Sequence, residues 1–148
     1  MSPTASLPSG RGGRRHGVPT FLIVDESPTI RTLTTEILQK LGHSESSVTL
    51  AGSPADALEA FDRVRPAVVF AELDFDGADG LAAALEMLAR DPHVKLVIFT
   101  AEGRDAPRVR RAVRAGAFAV VEKPLRHDKL RAVMADLQME EGGIERLR

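Results

Sequence analysis

Four stretches of this chain place reactive side chains directly after apolar runs. Asp25-Glu26 follows Phe21 to Val24, and Glu72 and Asp74 follow Val68 to Ala71. Thr100 follows Val94 to Phe99, and Lys123-Pro124 follows Phe118 to Val121. Carboxylates, a hydroxyl and an ammonium together suit a hard divalent cation and an oxyanion. Oxygen ligands fit Mg²⁺, which binds through a few carboxylates and keeps several waters. Lysine and threonine neutralise and hydrogen-bond phosphoryl oxygens. Taken singly, each residue has a plainer role: a lone strand-end carboxylate is ordinarily a cap or loop residue, and a lone lysine a surface charge. Their recurrence after successive apolar runs makes a shared site the expectation.

Convergence requires those runs to be neighbouring strands. Phe21-Leu22-Ile23-Val24 is apolar at every position, the pattern of a strand buried on both faces. Ser27 predicts a helix cap with Pro28 in the first turn. Ile30, Leu33, Ile37, Leu38 and Leu41 form that helix's apolar stripe, and Gly42 ends it. Val48 to Ala51 is a second, weaker strand, and Ser53-Pro54 repeats the cap before a helix lined by Ala57, Phe61 and Val64. A third strand, Val68 to Ala71, leads through an acidic loop to a helix marked by Leu81, Ala84, Leu85 and Leu88. Val94 to Phe99 is the fourth strand. The fourth helix is predicted over 105–115, with Val109, Ala112 and Val113 as its apolar side, before a fifth strand, Phe118 to Val121. Leu130, Val133, Met134 and Leu137 line the last helix. Five strand–helix units with short connections predict an α/β fold, a doubly wound five-stranded parallel sheet with helices on both faces. Ligands of such sheets bind at the carboxyl ends of the strands, near the reversal of strand order.

With 148 residues the chain is sized for one domain, predicted over 20–138. Residues 1–19, rich in Gly, Pro, Ser and Arg, are predicted to be a disordered basic tail, and 139–148, with Gly142-Gly143, to fray. Twenty basic residues face twenty-one acidic ones, which argues against a nucleic-acid partner. Trp and Tyr are absent, so base-stacking platforms are not expected. The lack of cysteine excludes disulfides and thiolate chemistry and fits a reducing compartment. No apolar run approaches the roughly 18 residues of a membrane span, and the N-terminus has no signal-peptide core. A cytoplasmic protein without membrane contact is the expectation.

The segments FLIVDESPTIR, RPAVVFAELDFDGADG, VIFTAE and GAFAVVEKPL together resemble the receiver domain of two-component response regulators, over about residues 20–138. The resemblance implies a flavodoxin-like (βα)5 fold with strand order 2-1-3-4-5 and a place in phosphorelay signal transduction. It implies that Asp25 and Glu26 are the acidic pair that holds Mg²⁺, with Glu72 beside them. It makes Thr100 the switch hydroxyl, Lys123 the lysine of the phosphoryl pocket and Gly80 the glycine that opens the third helix.

The departures from that pattern are informative. In register with Pro66 and Asp79-Gly80, the position of the phosphoaccepting Asp is Glu72. The extra methylene adds about 1.5 Å of reach, and misplacing a nucleophile by about 1 Å costs on the order of a hundredfold. Asp76 stands where the family usually has Pro, and Val120 where a switching aromatic often sits. The expectation is an atypical, non-enzymatic receiver that acts by protein contact without aspartyl phosphorylation, Glu72 resembling a partial mimic of the phosphorylated state. One alternative is a conventional receiver phosphorylated at Glu72 or Asp74. Another is a haloacid-dehalogenase-type phosphatase with Asp74 as nucleophile and Asp76 as acid/base; against it, two strand–helix units precede that motif and no late acidic pair completes the metal site.

The resemblance also implies that a histidine kinase or downstream effector engages the fourth helix, fifth strand and fifth helix. Too few residues follow 138 for a DNA-binding output domain, so output by protein contact is expected. The region carries Arg104, Arg108, Arg110, Arg111, Arg114, Arg126, Lys129 and Arg131. A solvated basic face is the plain reading; an acidic partner or a homodimer face is the sharper one.

Overall fold

In the computed structural model, residues 19–147 are described, with side chains through 138; the expected basic tail lies, Pro19 apart, outside them. The elements run β1 (Phe21–Val24), α1 (Pro28–Lys40), β2 (Val48–Ala51), α2 (Pro54–Val64), β3 (Val68–Glu72), β4 (Asp74–Phe75), β5 (Ala78–Asp79), α3 (Gly80–Arg90), β6 (Lys95–Thr100), α4 (Pro107–Arg114), β7 (Ala119–Glu122) and α5 (His127–Leu147). Five strands form one sheet in the order β2-β1-β3-β6-β7, every neighbouring pair parallel. Counted over the parallel strands alone, this is the expected 2-1-3-4-5. The predicted caps form: Ser27 Oγ accepts from the Ile30 amide and Ser53 Oγ from the Asp56 amide, each with proline opening the helix.

Strand residues alternate between faces, and the core divides accordingly. Leu22, Val24, Val69, Ala71, Leu96 and Ile98 pack under α2, α3 and α4. Phe21, Ile23, Phe70, Val97 and Phe99 pack under α1 and α5. On that second face the rings of Phe21, Phe70 and Phe99 run across three adjacent strands, with centroids 6.2 and 5.6 Å apart. These layers fix the strands' carboxyl ends along one edge.

Two features depart from expectation. β4 and β5 form a small antiparallel hairpin within the acidic loop, Asp74 opposite Asp79 and Phe75 opposite Ala78. Val113, assigned to the apolar side of α4, is instead 47% exposed, whereas Val109 and Ala112 are fully buried. At about 100° per residue, an inward direction centred on Ala112 and flanked by Arg108 and Val109 turns Val113 outward. Arg108 is drawn inward by contacts described below.

The outer edge of β7 is covered. Residues 119 and 121 direct their backbone groups toward β6, so Val120 and Glu122 direct theirs outward. Arg104 Nη2 donates to the Val120 carbonyl at 2.9 Å, and Lys129 Nζ to the Glu122 carbonyl at 3.1 Å.

At the opposite end of the sheet, His43 stands edge-on to Phe21, with ring centroids 4.8 Å apart, and its buried Nε2 has no hydrogen-bond partner among the described residues. Burial holds its pKa below the ordinary 6.5. The unfolded chain therefore takes up this proton at higher pH than the folded one, and stability falls as pH drops below about 6.5. Urea unfolding is expected to show a stability loss between about pH 7.5 and 5.5, part of which His43→Phe removes. An unchanged pH dependence in that variant would show that His43 makes no contribution.

Candidate functional site

The parallel order places the carboxyl ends of β1, β3, β6 and β7 side by side, and each contributes one side chain. Asp25 is fully buried just beyond β1, Glu72 ends β3 at 4% exposure, and Thr100 ends β6 fully buried. Charged groups this deep require compensation. Lys123 supplies it: its backbone amide is anchored to the Thr100 carbonyl at 2.7 Å, which aims the side chain back across the sheet edge. The ammonium donates to Glu72 Oε1 and lies 3.2 Å from Asp25 Oδ2. Asp25 Oδ1 accepts from the Ser27 amide at 2.9 Å. Its Oδ2 is buried with no aligned hydrogen bond, so Lys123 meets it as an ion pair only.

The other residues of the expected site are turned elsewhere. Glu26 is exposed, and its Oε1 accepts from the Asp76 amide at 3.2 Å, tethering the tip of the β4–β5 hairpin. Gly77 completes that tip with φ +69°. The hairpin base closes at Gly80, where a Cβ would lie 2.6 Å from the Leu73 carbonyl oxygen; this close approach requires glycine. Thr100 Oγ1 accepts from the Glu102 amide at 2.9 Å and so organises the β6–α4 turn. The structure thus brings Asp25, Glu72 and Lys123 together, leaves Glu26 outside them, and sets Thr100 beside them at the end of β6.

Two features were not read from the sequence. The hairpin had a signal, Asp76-Gly77, a common tight-turn pair. Arg108 had none: its Nη2 donates to the Leu73 carbonyl at 2.5 Å and to Asp74 Oδ1 at 3.2 Å. Arg108 is thus the member of the basic region that is tied to the end of β3.

A family profile described as "Response regulator receiver domain" matches residues 21–135. The chain belongs to the response regulator receiver family. Protein-glutamate methylesterase/protein-glutamine glutaminase 4 of Myxococcus xanthus is 34% identical over 108 residues, covering 71% of this chain and 30% of that protein. Chemotaxis protein CheY of Listeria monocytogenes is 28% identical over 110 residues, covering 74% of this chain and 90% of that one. Among solved structures, the receiver domain of NtrX from Brucella abortus superimposes with a TM-score of 0.69 at 30% identity, covering 78% of this chain and 95% of that one. This chain spans 24–30% of the length of the first curated relatives it matches.

Receiver domains serve two-component signalling, interact with histidine kinases and effectors, and are typically not enzymes. Membership in this family takes the place of the phosphatase alternative. No described helix is long and apolar enough to cross a membrane. Receivers commonly bind Mg²⁺ at this sheet edge, but the residues here, as arranged, do not fit the ion. Lys123 lies between Asp25 and Glu72, and Glu26 is committed to the hairpin. Among the described residues, no three His, Cys, Asp or Glu side chains form an ion-binding group.

The triad makes a quantitative prediction. Removing one partner of a buried ion pair typically costs about 3–5 kcal/mol, because the other charge is left uncompensated. Lys123→Met is expected to destabilise the receiver by about that amount in urea unfolding, and adding Glu72→Gln to restore most of it. A loss below about 1 kcal/mol would place Lys123 with ordinary surface pairs.

Proposed function

We propose that this receiver adopts its signalling conformation without aspartyl phosphorylation and transmits it by protein–protein contact. The observation that carries the reading is the ammonium of Lys123 shared between Glu72 and Asp25. The acceptor position holds a longer carboxylate, whose oxygens extend about 1.5 Å further than those of Asp into the space a phosphoryl group would fill. The cation that would pair with that group is already engaged by this carboxylate. Lys123 also offsets part of the negative charge at the site, a task for which receivers commonly employ Mg²⁺.

Incubation with Mg²⁺ and acetyl phosphate is expected to leave the intact mass unchanged. Glu72→Asp is expected to recover partial labelling, because Asp25, Thr100 and Lys123 stay in place. Millimolar Mg²⁺ is expected to leave the melting temperature of the wild type unchanged and to raise that of Lys123→Ala by mass action. A stoichiometric phosphoryl adduct on the wild type favours the conventional receiver, which the retention of Asp25, Thr100 and Lys123 supports.

The output surface in this reading is the exposed basic face of α4 and the start of α5, where Arg110, Arg111, Arg114, Arg131 and, just before α5, Arg126 face solvent. Arginines present bidentate donors to carboxylates, so an acidic kinase or effector surface fits, with a homodimer as the rival arrangement. Such contacts weaken as salt screens them. Captures from a native lysate at low and moderate salt are expected to lose their salt-sensitive component in Arg110→Glu/Arg114→Glu, with circular dichroism unchanged. An identical capture and salt dependence in the variant would move the output surface elsewhere.

A further inference from the structure

Helix α4 has few means of holding its place. It is eight residues long, four of them arginine, and its N-cap, Ala106, offers no side-chain hydrogen bond. Only Val109 and Ala112 of the helix are buried. So short a helix does not persist without tertiary ties.

Arg108 occupies the first turn, where the helix dipole disfavours a cation by about 0.3–1 kcal/mol. Its side chain leaves the helix and offsets that penalty. The guanidinium bonds the Leu73 carbonyl and the Asp74 carboxylate at the carboxyl end of β3. On its other side, Nε lies 3.9 Å from Glu102 Oε1, and both of these atoms are buried without a hydrogen-bond partner. Leu73 directly follows Glu72, and the Glu102 amide is held by Thr100 Oγ1. Arg108 therefore joins the corner that carries the acceptor position to the turn that carries the switch hydroxyl.

We infer that Arg108 is a latch that fixes α4, and with it the basic output face, to the end of β3. The guanidinium thus stands between two acids, its Nη2 bonded to Asp74 and its Nε facing Glu102. The latch goes beyond the proposed function: it concerns what positions the helix, and it holds whichever way the phosphorylation experiment falls.

Amide hydrogen exchange on the full chain, without phosphoryl donor or Mg²⁺, tests this directly. Arg108→Met is expected to speed exchange across residues 102–115 by roughly tenfold or more, while β1 and β3 stay within about twofold of wild type. Asp74→Asn, which spares the Leu73 bond, is expected to give a smaller rise at the same residues and no further rise when added to Arg108→Met. Unchanged exchange in α4 overturns the latch. So does an equal acceleration throughout the sheet, which would make Arg108 a contributor to global stability only. If Arg108→Met does not fold, Arg108→Lys decides. It keeps the charge without the planar fork, so an α4 protected as in wild type overturns the latch and a selectively faster α4 supports it.

Discussion

Burying two carboxylates at the end of a parallel sheet is costly unless a cation and hydrogen-bond donors compensate them. Asp25 and Glu72 impose that requirement here, and Lys123 meets it from β7, across the intervening strand β6. The strand order therefore has an electrostatic consequence. Without β7 beside β6, the ammonium would not reach either acid. The amide of Lys123 on the Thr100 carbonyl sets the same geometry from the backbone side. Strand pairing, the sheet's two cores and the charge balance at its edge are mutually dependent.

The acidic pair after β1 divides because successive residues beyond a strand diverge. Asp25 turns into the protein, where it meets Lys123 and the Ser27 amide. Glu26 turns to solvent and secures the hairpin through the Asp76 amide. A pair that reads as one metal-binding unit thus performs two structural tasks, one electrostatic and one mechanical. The hairpin in turn depends on Gly80, whose missing side chain lets the Leu73 carbonyl approach and leaves that oxygen placed to accept from Arg108.

Much of this was legible in the amino-acid order. Apolar runs, interrupted by Thr49 in the second strand and Lys95 in the fourth, marked all five parallel strands, and β1 and β2 begin and end where expected. Ser27-Pro28 and Ser53-Pro54 announced their helices through a local mechanism, a side-chain oxygen on an orphan amide. The convergence of Asp25, Glu72 and Lys123 followed from the topology. The misses are tertiary. Nothing within α4 distinguishes Arg108 from its three neighbouring arginines, since its inward turn depends on a carbonyl more than thirty residues away in sequence. Val113 faces outward because the helix is rotated to bury Val109 and Ala112. The paired strands of the hairpin are two residues long, below the length at which alternation is visible, and Glu26 is recruited by that hairpin rather than by any pattern of its own.

The covered edge of β7 has a consequence for crowding. A sheet edge with free carbonyls invites a passing strand to dock and continue it. Here such a strand would have to displace the Arg104 guanidinium from Val120 and the Lys129 ammonium from Glu122, exchanging charge-assisted bonds for ordinary amide ones. On this side, strand addition therefore carries the cost of displacing both side chains.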